Sequence, residues 1–226
     1  MQSLSLAAVK GAVTAPEFVV GLPRCNEPEH ILTETLDAIE ASSRRPARII
    51  VVDNGDKPWI EGSSIRSAIS ARPNLYVVRP DSNVGCAGAW NLIHLVSRIN
   101  LHHPRTIILN ADCAVAPDTF ERMLEVPAPA VVLAYAFGCF LIDEEIRRKV
   151  GPFDEDFFPA YFEDADYKRR MSLAGVTPIE WPITPAVTVV SGRERAPSGI
   201  IHGSHDPDGY QGWRGHCGVV SQWPEQ

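Results

Sequence analysis

Apolar residues in the first half of the chain fall into short blocks, and helix-spaced stretches separate them. Residues 17–22 form a mostly apolar run that stops at Pro23, the pattern of a buried strand. Pro28 then stands at a favoured first-turn position. It opens a helix in which Leu32, Leu36 and Ile39 recur at helical spacing, so that one face packs on a sheet. Arg48–Asp53 is a second strand, rich in β-branched residues, ending on an acid before the turn signal Asn54-Gly55. Leu75–Val78 is a third. A glycine-containing loop at 81–88 leads into a helix whose Ala89, Leu92, Ile93, Val96 and Ile99 keep the period. Residues 106–109 are a fourth strand, with Asn110-Ala111-Asp112 at its C-terminal end. This alternation predicts an α/β fold with parallel pairing and right-handed crossovers. In such sheets ligands bind outside the carboxyl ends of the strands. Residues 23–27, 53–55 and 110–112 all fall at that edge.

The second half differs. Residues 130–141 are largely apolar and predict one longer or broken strand. Residues 151–159 form an acidic, aromatic loop, and residues 162–174 a helix that stops at Gly175. A strand is expected near 186–190, followed by a long loop or tail rich in Pro, Gly and His. There are no internal repeats and no clear domain boundary.

Composition narrows the class. A chain of 226 residues holds one substantial core, or a domain and a small appendage. No apolar run approaches the roughly 20 residues of a membrane span. Residues 1–16 lack the basic start and apolar middle of a signal peptide and read as a short disordered or edge extension. The five cysteines are scattered, odd in number and without a CxxC, which fits free core thiols in a reducing, cytoplasmic compartment. A net charge of −7 weighs against a nucleic-acid partner.

The chemistry concentrates in two acidic elements. Glu163, Asp164 and Asp166 crowd the start of a helix, whose N-terminal dipole favours ionised carboxylates. A general base or metal ligand needs that charged form. With Asp112 far upstream, they suggest displacement at a sugar carbon. Asp166 also faces Arg170 at i,i+4, which predicts a surface ion pair.

The strings VVGLPRCNE (19–27), VVDNG (51–55), NVGCAGAWN (83–91), ILNAD (108–112), GPFDEDFF (151–158) and FEDADY (162–167), in this order, resemble family 2 glycosyltransferases, especially their rhamnosyltransferase-like branch. The resemblance runs over about residues 17–205. It implies a GT-A fold: a Rossmann-like nucleotide-binding half (17–112) and an acceptor half (113–205) in one αβα sandwich, with 206–226 as a tail. It also implies roles. Asp53 would hydrogen-bond the donor base, while Pro23, Arg24, Asn26 and Glu27 line the nucleotide pocket. Asn83, Gly85 and Asn91 would belong to a loop closing over the donor, with Asn83 as a local helix cap the plainer reading. Asp112 is the expected ligand of Mn²⁺ or Mg²⁺, hard cations suited to oxygen donors. Asn110 replaces the first acid of the family's Asp-x-Asp element and would touch ribose or a metal-bound water. Asp164 matches the general base, and Glu163 would hold the acceptor. His202 and His205 are placed on the metal or diphosphate, or in solvent, and Arg193 and Arg195 near the diphosphate.

The implied activity is inverting, metal-dependent transfer from a nucleoside-diphosphate sugar to an acceptor hydroxyl. UDP- or dTDP-linked donors are favoured, with GDP the alternative. The acceptor ranges over glycans, small molecules and polymers, and docking at a membrane surface is compatible with the absence of a span. Trp213 and Trp223 in the tail either stack on a sugar acceptor or seal a homodimer. Two other classes compete. A nucleotidyltransferase would show an early glycine-rich stretch, which LPRCN (22–26) lacks. A non-catalytic nucleotide-sugar binder would be expected to lose the base, and Glu163-Asp164 is intact.

Overall fold

The computed structural model describes residues 18–55, 67–68, 71–99, 105–181 and 187–189. His202, His205, Arg193, Arg195, Trp59, Trp213, Trp223, Cys217 and both terminal extensions lie outside them.

The strands β1 (Phe18–Arg24), β2 (Arg48–Asp53), β3 (Leu75–Val78) and β4 (Arg105–Leu109) pair in parallel in the order β3-β2-β1-β4, as the alternation predicts. Beyond β4 the sheet becomes mixed. The apolar stretch at 130–141 is broken: β6 (Val131–Tyr135) and β7 (Cys139–Ile142) form a hairpin, and β7 pairs antiparallel with β4. Ala136, with φ 42°, makes the turn. Thus β7 is antiparallel to both its neighbours, whereas the short β8 (Ile179–Glu180) is parallel to β6. It completes seven strands, and β5 (Cys113–Val115) pairs with β9 (Val187–Val189) in a separate ribbon. The last of these falls where the sequence expects a strand.

Side-chain alternation along the strands feeds two cores. Phe18, Val20 and Leu22 point to one face, against Leu32, Leu36 and Ile39 of α1 (Glu29–Glu40) and Phe120 and Met123 of α3 (Thr119–Glu125). Val19, Ile50 and Val52 point to the other, against α2 (Gly85–Ile99) and α5 (Glu163–Leu173). Ile146 of α4 (Glu144–Val150) joins the same cluster. Gly21 lets α2 lie directly on β1, because a Cβ there would stand 2.1 Å from Ile93. Aromatic rings weld α5 to α2: Phe153 stacks on Tyr167 at 4.2 Å and meets Trp90 edge-on at 4.8 Å. Arg105 closes the far end with a buried bidentate pair to Asp143. The Arg105 guanidinium also donates to the carbonyls of Leu124 and Val126, so no carboxylate or guanidinium is buried there without partners.

Candidate active site

Three strand ends and two helix starts meet at the carboxyl edge of the sheet. Register puts Arg24 of β1 directly beside Asp53 of β2. The two form an ion pair at 2.5 Å with both side chains buried. Arg79, just past β3, donates to the backbone carbonyls of Asp53 and Gly55 and stands 3.6 Å from the Asp53 carboxylate. Asp53, expected to face the donor base, therefore turns its carboxylate inward with no exposed surface. The physical reason is that a buried carboxylate needs a cation, and two guanidinium groups flank it. The sequence does not single out Arg79, because an arginine after a strand carries no spacing signal; the structure brings it to this pair.

The segment after β1 folds back on this pair. Arg24 also donates to the Glu27 carbonyl, and the Glu27 carboxylate accepts from the Cys25 N–H. Asn26 is left-handed (φ 63°) and lies so close to Gly55 that a Cβ there would stand 2.3 Å from its side-chain oxygen. Pro23 is half-buried at the end of the strand. Burial pushes the Glu27 carboxyl up to about 7, and the neighbouring charge of Asp112 adds to the rise. So Glu27 and Asp112, 85 positions apart in sequence, share one corner of the edge. The Asp112 turn is anchored from below: Thr35 of α1 donates to the Ala111 carbonyl at 2.9 Å, and Asn110 bonds Gly138 and Cys113 through its backbone.

Asn54 ties this corner to the start of α2. Its side chain accepts from the Val84 N–H and donates to the Gly85 carbonyl. Asn83 accepts from the Gly85 N–H at 2.8 Å, the local cap that the plainer reading of the loop expects. Gly85 has φ 74°, and a Cβ there would press on Pro159 O at 2.9 Å. Asn91, expected in the donor loop, gives both amide ends elsewhere: it donates to Phe153 O and Glu155 and accepts from the Phe153 N–H. A half-buried amide takes every partner the adjacent backbone offers, and here that backbone is the acidic loop.

The acidic helix start joins the same assembly. Cys86 N–H donates to Pro159 O at 2.7 Å, and the Cys86 thiol bonds Glu163. Tyr161 (φ 87°) and Phe162 (φ 71°) are both left-handed, a costly conformation for bulky residues. The N–H of Tyr161 bonds the Glu163 carboxylate and so helps hold the turn. Glu163 is buried, with Oε2 lacking any partner. Burial raises its pKa, against the expectation that the helix terminus dominates: desolvation here outweighs the dipole. Glu163 thus faces inward as a brace for the turn, while Asp164 is half-exposed and accepts only the adjacent Ala165 N–H among its described hydrogen bonds. Asp166 pairs with Arg170 at 2.7 Å, as the spacing predicts.

Asp112 and Glu27, near enough for their charges to interact, are carboxylates of the hard-oxygen kind that could hold a divalent cation. No group of three or more His, Cys, Asp or Glu residues suited to a metal occurs among the described residues.

Residues 19–148 match the profile described as Glycosyl transferase family 2. Among solved structures, the chain resembles a mannosyltransferase, PcManGT from Pyrobaculum calidifontis, in complex with GDP-Man and Mn²⁺, with TM-score 0.60 and 18% identity over 76% of this chain and 56% of that one. It also resembles GalNAc-T7 with UDP, GalNAc and Mn²⁺ (TM-score 0.63, 14% identity, 77% and 43% covered). TarS of S. aureus is similar as well (TM-score 0.57, 14% identity, 74% and 35% covered). These are likenesses of fold, and the chain spans little more than half the length of those structures at most. No curated protein sequence matches it. A GT-A sheet, the ordered motifs along it and a family profile over more than half the chain agree: the chain belongs to glycosyl transferase family 2.

Proposed function

We propose that the protein is an inverting, divalent-metal-dependent glycosyltransferase that moves a sugar from a nucleoside diphosphate to an acceptor hydroxyl. One observation supports this: contacts run along one sheet edge from Glu27, whose charge interacts with that of Asp112, through Arg24, Asn54, Gly85 and Cys86 to Glu163, the neighbour of Asp164. The nucleotide lies over β1 and β2. Pro23, Asn26, Asn83, Gly85 and Asn110 line its rim, and the locked Arg24–Asp53 pair forms its floor, with Arg79 the cation nearest the base. Asp112, with Glu27 beside it, holds Mn²⁺ or Mg²⁺, which when bound neutralises charge on the leaving diphosphate.

Asp164 is the general base. Its carboxylate takes the proton of the acceptor hydroxyl as that oxygen bonds to the anomeric carbon from the face opposite the diphosphate. The electron pair of the breaking C–O bond leaves with the diphosphate, so the anomeric configuration inverts. Glu163 positions this base by holding the turn before it. No helix among the described residues is long and apolar enough to cross a membrane.

A thermal-shift panel of nucleotide sugars tests the reading. One donor class raises Tm only when Mn²⁺ is present, and Asp112→Ala removes most of that shift. Stabilisation by free triphosphates in preference to every nucleotide sugar would favour a nucleotidyltransferase instead.

A further inference from the structure

Phe158 and Phe162, 57% and 56% exposed, are the two exposed phenylalanines among the described residues, and both flank the acidic helix start. Both lie on the segment that packs against the start of α2 and leads into α5. Phe158 reaches the start of α2, where its ring would stand 3.0 Å from a Cβ on Gly85. Phe162 immediately precedes Glu163 and Asp164. Its exposure is held at a cost, because Tyr161 and Phe162 keep left-handed backbone that neither side chain favours. The Cys86 N–H to Pro159 O bond and the buried Glu163 fix that turn. A loop so braced, showing two large rings to solvent, is shaped for a ligand with an apolar face.

Charge narrows the ligand. Between Gly151 and Tyr167 the chain carries six carboxylates and no lysine or arginine. Asp154, Glu155 and Asp156 are exposed at the rim. Of the cations on α5, Lys168 pairs with Glu180, Arg170 is engaged by Asp166 and by the carbonyls of Val150 and Pro152, and Arg169 is exposed further along the helix. The carboxylates of this rim repel phosphate- or carboxylate-bearing acceptors, whereas they accept from sugar hydroxyls.

Resting on the glycosyltransferase reading, we propose that Phe158 and Phe162 form the acceptor platform and that the acceptor is a neutral saccharide. The C–H face of a pyranose ring lies on the electron-rich aromatic face, and the acidic rim binds its hydroxyls. Asp164 then meets the hydroxyl presented at the ring's edge.

Saturation-transfer NMR on the full chain tests this. The probes are methyl pyranosides and neutral disaccharides, with glucose 6-phosphate, glucuronate and farnesyl phosphate as anionic and lipid arms. At least one neutral saccharide binds through its C–H face. Phe162→Asn, which suits a left-handed backbone while removing the ring, weakens it about tenfold, as does Phe158→Ala. Phe162→Tyr retains binding. Saturation of no neutral saccharide, undiminished binding in the two ring-removing variants, or tighter binding of any anionic or lipid arm overturns the proposal. The thermal-shift panel keeps the two readings apart. Donor stabilisation without saccharide binding refutes the platform alone. Saccharide binding without any donor stabilisation refutes the transferase reading instead.

Discussion

Single residues here are often defined by what buries them. His94 on α2 is buried with Nε2 lacking a partner, and burial, helped by Arg147 and Arg98, lowers its pKa to about 3. The folded state therefore holds it neutral, while the unfolded chain protonates it near the ordinary value of about 6.5. Its contribution to stability is intact above that value and is lost as pH falls through 6.5 towards 3, at up to about 1.4 kcal/mol per pH unit. His94→Leu removes one proton's worth of that acid slope in urea unfolding followed against pH. It costs little at pH 7, since an unpaired buried nitrogen is exchanged for carbon. An unchanged slope would mean that the imidazole is solvated. Asp53 and Glu163 teach the same lesson. A carboxylate is visible in the sequence, but whether it faces ligand or core depends on neighbours from other elements. For Asp53 those are Arg24, set beside it by register, and Arg79 just past β3.

At the scale of elements, the parallel half was legible because each strand is a compact apolar block and each helix keeps its period. The hairpin of β6 and β7 was less so. The apolar run at 130–141 leaves open one strand or two, and the break rests on a left-handed alanine rather than on an Asn-Gly or Gly-Gly signal. The site motifs were readable as strings, whereas their division of labour was not. Asn91 shows why: the same amide can serve a donor or tie a loop, and the loop at 153–155 lies 62 positions away. Asn91→Ala should free that loop, raising amide exchange at Phe153 by about tenfold or more while the interior strands stay protected. Unaltered exchange at Phe153 would return Asn91 to the donor side.

Over the whole molecule, one seven-stranded sheet gathers two acidic elements that the chain keeps far apart. The parallel strands bring Glu27 and Asp112 to one corner, and the start of α2 carries the connection across to Asp164. That convergence is the central claim, and a single variant separates its two halves. Donor binding belongs to the Asp112 side and proton removal to the Asp164 side. The decisive measurement is sugar transfer by Asp164→Asn, using the donor that stabilises the protein and a saccharide that binds it. The account predicts an unchanged Mn²⁺-dependent donor shift with transfer reduced by about 10²–10⁴. Transfer at the normal rate by that variant would contradict it.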